Sequence, residues 1–494
     1  MTVDRAAPEA VPRPGPSTAA GALTLALWLA ACTSAPPFDP APPVAVTPPV
    51  WIAGGDGPPA ADTLQAPWWS GLDDPNLGAL IAEALAYNQD LAAASARVER
   101  AVARTRMAGA GRWPQAGVDG HANRSRRNFP GFPAFPGLSG ELPALTTSTF
   151  DAAFSASWEA DLWGRLRADQ AAALAEAQAT RFDLAGARLS LESMIVRAYA
   201  AAAEARSQAR LAEATAANRQ RVRERIEDRY ALGLRTSLDL RLARAEAAGA
   251  RGALAERRLQ LDAATRRLEV LLGRYPAAEL AVAEAPPAVT GLVPAGLPAD
   301  LVRRRPDLAA AERRLASADQ RLASARRALL PGIRLTGGGG RSSEELADLL
   351  DGDFSVWSLV ANLTMPLFQG GRLRAQAAAA EADREALTAA YAGLALSAFA
   401  EVEGALAAEA ALAEQEAALV ETADQASAAE SLADVRYHRG LVGLITLLDA
   451  RRRAWEAHSR LLTTRRRRVD ARVDLHVALG GGFTHPAAGA PTDE

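Results

Sequence analysis

The chain has no lysine: all 55 of its basic residues are arginine, set against 58 acidic ones for a net charge of −3. That near balance leaves no basic surface for nucleic acid, so a nucleic-acid partner is not expected. We read arginine in place of lysine as genomic bias, because both serve equally on a solvated helix face. Aromatic residues are only 5% of the chain, and the 49% hydrophobic total rests largely on alanine. Such a composition fits helices packed along shallow seams better than a deep globular core. No run of 18 apolar residues follows the N-terminal region, which excludes a membrane-spanning helix but not a spanning β-barrel, whose strands signal weakly. Proline is missing from two long stretches, 164–230 and 371–439. Each read as one helix would extend roughly 100 Å. Two such helices cannot pack inside one compact core; they must lie side by side in something tall or bridge a gap.

Cysteine occurs once, as Cys32. The short apolar run from Ala19 to Ala31 follows Arg5 and Arg13 and reads as a secretory signal over residues 1–31. It ends in Leu29-Ala30-Ala31-Cys32, which resembles a bacterial lipobox, so Cys32 is the expected lipidation site and mature N-terminus. The plain alternative is an ordinary alanine-rich cleavage site with an incidental cysteine. Asp4 and Glu9 are untypical of such a leader and leave the true start open beyond Met1. Thr33, not aspartate, follows the cysteine, which keeps the outer membrane open as a destination. Several acyl chains, as bacterial lipoproteins carry, make a firm anchor where one binds weakly. Residues 32–76 then form a Pro-rich tether, and Asp73-Asp74-Pro75-Asn76 signals a helix start.

From there the chain repeats itself. Asn88-Gln89-Asp90-Leu91-Ala92-Ala93-Ala94 matches Arg305-Pro306-Asp307-Leu308-Ala309-Ala310-Ala311 at an offset of 217, as do Trp113-Pro114 and Leu330-Pro331. Arg229-Tyr230-Ala231-Leu232-Gly233-Leu234 matches Arg436-Tyr437-His438-Arg439-Gly440-Leu441 at an offset of 207, as do Leu271-Leu272-Gly273 and Ala478-Leu479-Gly480. The period is too long for a solenoid unit, so we expect two tandem copies of one structural half. The copies span 77–274 and 300–480, joined by a linker at 275–299 and followed by a tail at 481–494. Each reads helix–strand–strand–long helix–helix, with strands near 115–125 and 148–162 in the first and near 332–341 and 354–367 in the second. A short pair of helices stacked tip to tip nearly equals one long helix, which suggests four helical columns per chain.

In the strands, Phe150, Phe154 and Trp158 share one parity and Asp151, Ser155, Ser157 and Glu159 the other. The sister strand sets Trp357, Leu359 and Leu363 against Ser358, Asn362 and Thr364. This suits a lipid-facing barrel with a wet lumen; a soluble sheet with one buried face is the alternative. Four strands cannot close a barrel, and open edges are not tolerated in lipid, so the chain is expected to oligomerise. Three copies give twelve strands and two give eight, both at or above the smallest closed barrels. Trp113, Trp163 and Phe368 at the strand–helix junctions read equally as an interfacial belt or as junction packing.

Arg303-Arg304-Arg305-Pro306-Asp307-Leu308, Leu330-Pro331-Gly332-Ile333, Pro366-Leu367-Phe368-Gln369-Gly370-Gly371-Arg372 and the tip Tyr437-His438-Arg439-Gly440-Leu441 with Ile445-Thr446-Leu447-Leu448-Asp449-Ala450 resemble the TolC-like outer-membrane efflux family, in its NodT-like lipoprotein branch. The resemblance runs from about Ala66 to Gly480. It implies a mainly α chain with a membrane β part, assembled as a homotrimer whose 12-stranded β-barrel is continuous with a 12-helix α-barrel. It also implies a lipid-anchored location in the outer membrane, reaching into the periplasm of a Gram-negative bacterium. The implied partners are outer-membrane lipid, a periplasmic adaptor and an inner-membrane pump of the resistance-nodulation-division type. Carried over by position, the periplasmic gate falls on Asp449, Ile445 (leucine in one branch of the family) and Asp239, and the adaptor-facing helix tips on Gly233, Leu234, Gly440 and Leu441. Three copies of Asp449 about one axis would repel one another, attract cations and titrate upward; alternatively Asp449 pairs with a neighbouring arginine on its helix face.

No enzyme and no cofactor is expected. The five histidines, His121, His438, His458, His476 and His485, show no H-E-x-x-H spacing, and cysteine ligands are absent. Gly337 to Gly340 has no lysine after it and reads as a flexible strand rather than a phosphate loop. The run Arg465–Arg468 reads as a solvated cationic face near a helix end. The expected function is a passive trimeric duct for small molecules such as drugs. The alternatives are an exit duct for secreted protein and a non-conducting, lipid-anchored periplasmic coiled-coil spacer.

Overall fold

The computed structural model describes residues 48, 50–53, 67–72, 74–128, 144–291, 293 and 298–482. The signal segment, Cys32 and most of the tether lie outside the described residues, as do the Phe/Pro/Gly loop at 129–143 and the tail from 483. Among the described residues there are eight helices and four strands, the expected helix–strand–strand–long helix–helix order standing in each half behind one further short helix. They are α1 (Pro75–Tyr87), α2 (Gln89–Ala110), β1 (Gln115–Asn128), β2 (Ala144–Ala160), α3 (Arg165–Ala231), α4 (Ser237–Leu271), α5 (Pro298–Arg304), α6 (Pro306–Arg327), β3 (Gly332–Ser343), β4 (Ser355–Thr364), α7 (Arg372–His438) and α8 (Leu444–Ala478). Short 3-10 turns lie at Trp68–Leu72, Leu346–Leu350 and Gly352–Phe354.

The duplication reaches to single residues. Helices α2 and α6 are both 22 residues long and start 217 positions apart. Helices α3 and α7 are both 67 residues, and α4 and α8 both 35, each pair starting 207 apart. At about 1.5 Å per residue each long helix spans roughly 100 Å.

Helix starts follow from capping. The Asp74 carboxylate accepts the Asn76 amide at 2.9 Å with Pro75 in the first turn. Asn88 Oδ1 accepts the Asp90 and Leu91 amides. The Asp161 carboxylate accepts from Leu166 and Arg167, both at 3.0 Å. Each oxygen satisfies donors that a helix leaves open at its first turn.

The chain divides into two compact units. The first, Met107–Ala171 with Asp319–Ala382, holds one antiparallel sheet in the order β1-β2-β3-β4. Its register places Val118, Phe154, Gly339 and Trp357 in one row and Ala116, Ala156, Gly337 and Leu359 in the next. Paired residues share a face, so one side of the sheet is apolar from Phe150 to Ala160 along β2. Asp119, Asp151, Ser155, Glu159, Arg334 and Asn362 occupy the other. The glycine run Gly337–Gly340 belongs to β3. A Cβ on Gly340 would lie 2.3 Å from the Ala152 carbonyl oxygen, so β2 and β3 approach as they do because that side chain is missing. Of the three junction aromatics, Trp163 is packed, its Nε1 donating to the Pro331 carbonyl at 2.6 Å. Trp113 and Phe368 stand largely exposed.

The second unit, Pro42–Arg106, Ala172–Ala318 and Asp383–Glu494, holds the helical cores. Tyr199, Ile195, Leu268, Leu272, Leu77 and Ile81 form one. Leu301, Leu308, Val402, Leu475 and Leu479 form another, into which Trp51 is seated. The many buried alanines let helices approach closely along narrow seams. The linker is fastened rather than loose. Glu269 accepts three amides, from Ala278, Glu279 and Leu280, while Arg472 donates to the carbonyls of Thr290 and Gly291. The run Arg465–Arg468 departs from the expected solvated face. Arg465 and Arg468 both bind Glu416, at 3.0 and 2.6 Å, and Arg466 binds Glu204 at 2.7 Å. A cationic stripe facing carboxylates on neighbouring helices folds into ion pairs, which the sequence of α8 alone does not reveal.

Candidate functional sites at the helix turns and the sheet

Both turns between a long helix and its successor are built the same way. Gly233 has φ +68° and Gly440 φ +72°, a conformation that a side chain opposes. The Gly233 amide donates to Tyr230 and the Leu234 amide to Arg229, at 2.9 and 2.8 Å. Gly440 donates to Tyr437 and Leu441 to Arg436, at 3.0 and 2.9 Å. This paired bonding closes the helix C-terminus. Leu234 and Leu441 are each 68% exposed, as is Ile445, and Leu232 and Leu238 are exposed beside them. Beneath the turns, Val222, Ile226, Leu240, Tyr437, Leu444 and Leu447 form a buried apolar cluster.

The proposed gate residues have distinct surroundings. Asp239 is the third residue of α4 and completes a capping box with Thr236, each side chain meeting the other's backbone amide. Its counterpart in the second copy is Thr446, and the residue before α8, Gly443, supplies no side-chain cap. Asp449 lies on an exposed face, bonded to Arg452 at 2.8 Å and to Arg453 at 2.8 Å. The Arg452 hydrogen bond, with the charge of Arg453 beside it, holds the Asp449 carboxyl below the usual carboxylate range. In one chain, then, Asp449 is paired with arginines of its own helix. Asp449, Ile445 and Asp239 are not in contact with one another through any hydrogen bond or ion pair that their side chains make among the described residues.

Ion pairs that sequence reasoning missed tie the helices together behind these turns. Arg451 of α8 binds Asp434 of α7 at 2.5 Å, and Arg244 of α4 binds Glu227 of α3 at 2.8 Å. Both partners are shifted by 207, so this is one clasp inherited twice. The matched pairs Glu227/Asp434 and Arg244/Arg451 were visible as a repeat of charge at the same offset. His438 lies 3.5 Å from Asp434 and 3.5 Å from the Arg225 guanidinium, and Arg235 stacks over the Tyr437 ring at 4.9 Å.

In the sheet, the outer strands β1 and β4 each leave one edge unpaired among the described residues. The apolar face carries large exposed side chains, Trp357 at 83% and Leu359 at 77%. Ten residue steps from Phe150 to Ala160 rise about 33 Å, or roughly 25 Å when tilted as barrel strands are, which is the height of the apolar band of an outer-membrane barrel. No helix among the described residues is long and apolar enough to cross a membrane.

A family model described as outer membrane efflux protein matches residues 80–274 and 297–481. The pyoverdine export outer membrane protein OpmQ of Pseudomonas putida is 35% identical over 470 residues, covering 93% of this chain and 97% of that protein. The outer membrane protein OprJ of Pseudomonas aeruginosa is 34% identical over 473 residues, 95% of this chain and 96% of that protein. Among solved structures, the outer-membrane channel OprN superposes with a TM-score of 0.81 at 28% identity, over 91% of this chain and 99% of that one.

Proposed function

Because the chain belongs to the outer membrane efflux protein family, we propose that it is the outer-membrane duct of a tripartite efflux system, carrying small molecules outward through a trimer. The observation that carries this is the four-stranded sheet, apolar on one face and polar on the other, with both edges open. In lipid those edges must be paired. The strands form an up-and-down meander, so β1 of one copy and β4 of the next run antiparallel. Three copies then close twelve strands with the polar face lining water. Catalysis plays no part in this reading, and the energy comes from an inner-membrane pump. The cargo is proposed as small molecules; the name of OpmQ gives pyoverdine export for that relative.

The exposed Leu234 and Leu441, held by the glycine turns with Leu232, Leu238 and Ile445 exposed beside them, are suited to docking an adaptor, since grouped apolar side chains at a helix turn gain by burial against a partner. A pump of the resistance-nodulation-division type is the proposed third member. Asp449 and Ile445 are proposed to narrow the duct, and Cys32 to carry the lipid. The two repeats are proposed as 77–274 and 300–480, joined by 275–299.

Purified full-length protein in planar bilayers tests this. We expect small closed-state conductance that rises at least severalfold in an Ile445→Ala, Asp449→Ala double variant. Absence of any conductance step in both proteins would favour a non-conducting spacer. A deletion strain that gains drug sensitivity while secreting its proteins normally separates efflux from protein export.

A further inference from the structure

Behind the clasp between α7 and α8, two buried arginines face a cavity that neither of them fills. Arg219 of α3 has a side chain 7% exposed, and Arg451 of α8 one 9% exposed. The nearest carboxylate to Arg219 is Glu246, at 3.6 Å from Nε, too long for a hydrogen bond. Among the described residues NH1 of Arg219 has no hydrogen-bond partner, nor do NH1 and Nε of Arg451. The cavity is about 80 Å³, and Arg219 and Arg451 both line it, together with Asn218, Glu430 and His458. Buried donors left without acceptors forfeit their hydration and gain nothing in return. Two like charges at one cavity add repulsion: burial above all pushes the Arg219 guanidinium down from its ordinary value, Arg451 adding to the effect and the Glu246 and Glu430 carboxylates opposing it.

We propose that this cavity binds a small inorganic anion of the size and charge of chloride, bridging Arg219 of α3 to Arg451 of α8. An anion there accepts from both orphaned NH1 groups and offsets the repulsion between them. The volume admits a halide together with a few waters, a single water accounting for about 30 Å³ of liquid. Glu430 lines the same wall, 3.6 Å from Arg451 Nε, and repels a doubly charged ion more strongly than a singly charged one. His458 is engaged with Ser427 Oγ at 2.8 Å, so the arginines are the principal hosts. The site belongs to one copy of the repeat only. The counterpart of Arg219 in the second copy is Ala426 and the counterpart of Glu430 in the first is Arg223, so the fold itself does not demand the pair.

The inference stands apart from the proposed duct and is tested without measuring transport. Crystals of the full-length protein soaked in bromide should show an anomalous peak within hydrogen-bonding reach of NH1 of both Arg219 and Arg451. Melting temperature at constant ionic strength should rise saturably as chloride replaces gluconate. That rise should vanish in Arg219→Gln and Arg451→Gln and persist in Arg452→Gln, whose exposed side chain lies elsewhere. Ordered water alone in the bromide-soaked cavity overturns the proposal, as does an unchanged chloride response in Arg219→Gln. Stronger stabilisation by phosphate than by chloride overturns the assignment of ion size and charge. Should either glutamine variant fail to fold, the bromide result on the native protein decides.

Discussion

Glu269 shows how one carboxylate can hold a linker in place. It is 3% exposed. Burial alone would raise its pKa, but the amides of Ala278, Leu280 and Glu279, with Arg266 nearby, outweigh that and leave it below the ordinary value. A folded pKa below the unfolded one, about 4.3, means the carboxylate adds stability above that pH and loses it as pH falls through the folded value. Glu269→Gln should therefore lower the melting temperature at pH 7 and flatten the acid limb of stability between about pH 5 and 3. Parallel acid limbs in the two proteins would contradict this account. Asp449 poses the opposing question. Paired with Arg452 and Arg453, it stays ionised to lower pH than usual, whereas a ring of three would titrate upward. If the arginine pairs dominate, cation selectivity of the open duct stays constant from pH 5 to 8. A selectivity midpoint inside that window would show that repulsion between copies prevails. The residue identities at the turns were legible from the sequence. That Asp449 pairs with an arginine of its own face was one of two readings of the sequence; which arginine was hidden, because Arg452 and Arg453 are only two of many on α8 and spacing alone does not say which one a carboxylate chooses.

At the scale of elements, the sequence carried most of the fold. Offsets of 217 and 207, read from short matching motifs, reappear as helices of equal length in each half. Helix boundaries were legible because proline, glycine and capping residues act locally. The fastening of the linker was hidden, since Glu269 and Arg472 act on backbone distant in sequence. The glycine run in β3 was readable as a strand, but its reason lies across the ladder, in the carbonyl of Ala152. Gly340→Ala should therefore force β2 and β3 apart and lower the yield of folded, membrane-inserted protein, while Gly352→Ala, with open space around it, should not. On the apolar face, Leu359→Arg near the middle of the band should cost about 2–4 kcal/mol in a lipid-bilayer unfolding titration. The same change at Asn362, on the polar face, should cost far less. Equal costs at both positions would mean that the sheet does not divide lipid from water.

For the whole molecule, the decisive quantity is the number of copies that closes the sheet. The described residues of each chain hold four strands, and each unpaired edge in hydrocarbon leaves a row of amides and carbonyls unsatisfied, at several kcal/mol for each group. A lone chain therefore has no stable way to stay in the bilayer, and an assembly of two gives the narrowest barrel, one that side chains fill. Three copies give twelve strands and room for a wet lumen. Light scattering of the detergent-solubilised full-length protein should report three chains per particle. Oxidative cross-linking of single cysteines scanned along β1 against single cysteines along β4, in a Cys32→Ser background, should join neighbouring copies and stop at a trimer band. Particles of one chain, or cross-links that stop at two, would remove the duct from contention, because water would then have no path through the strands.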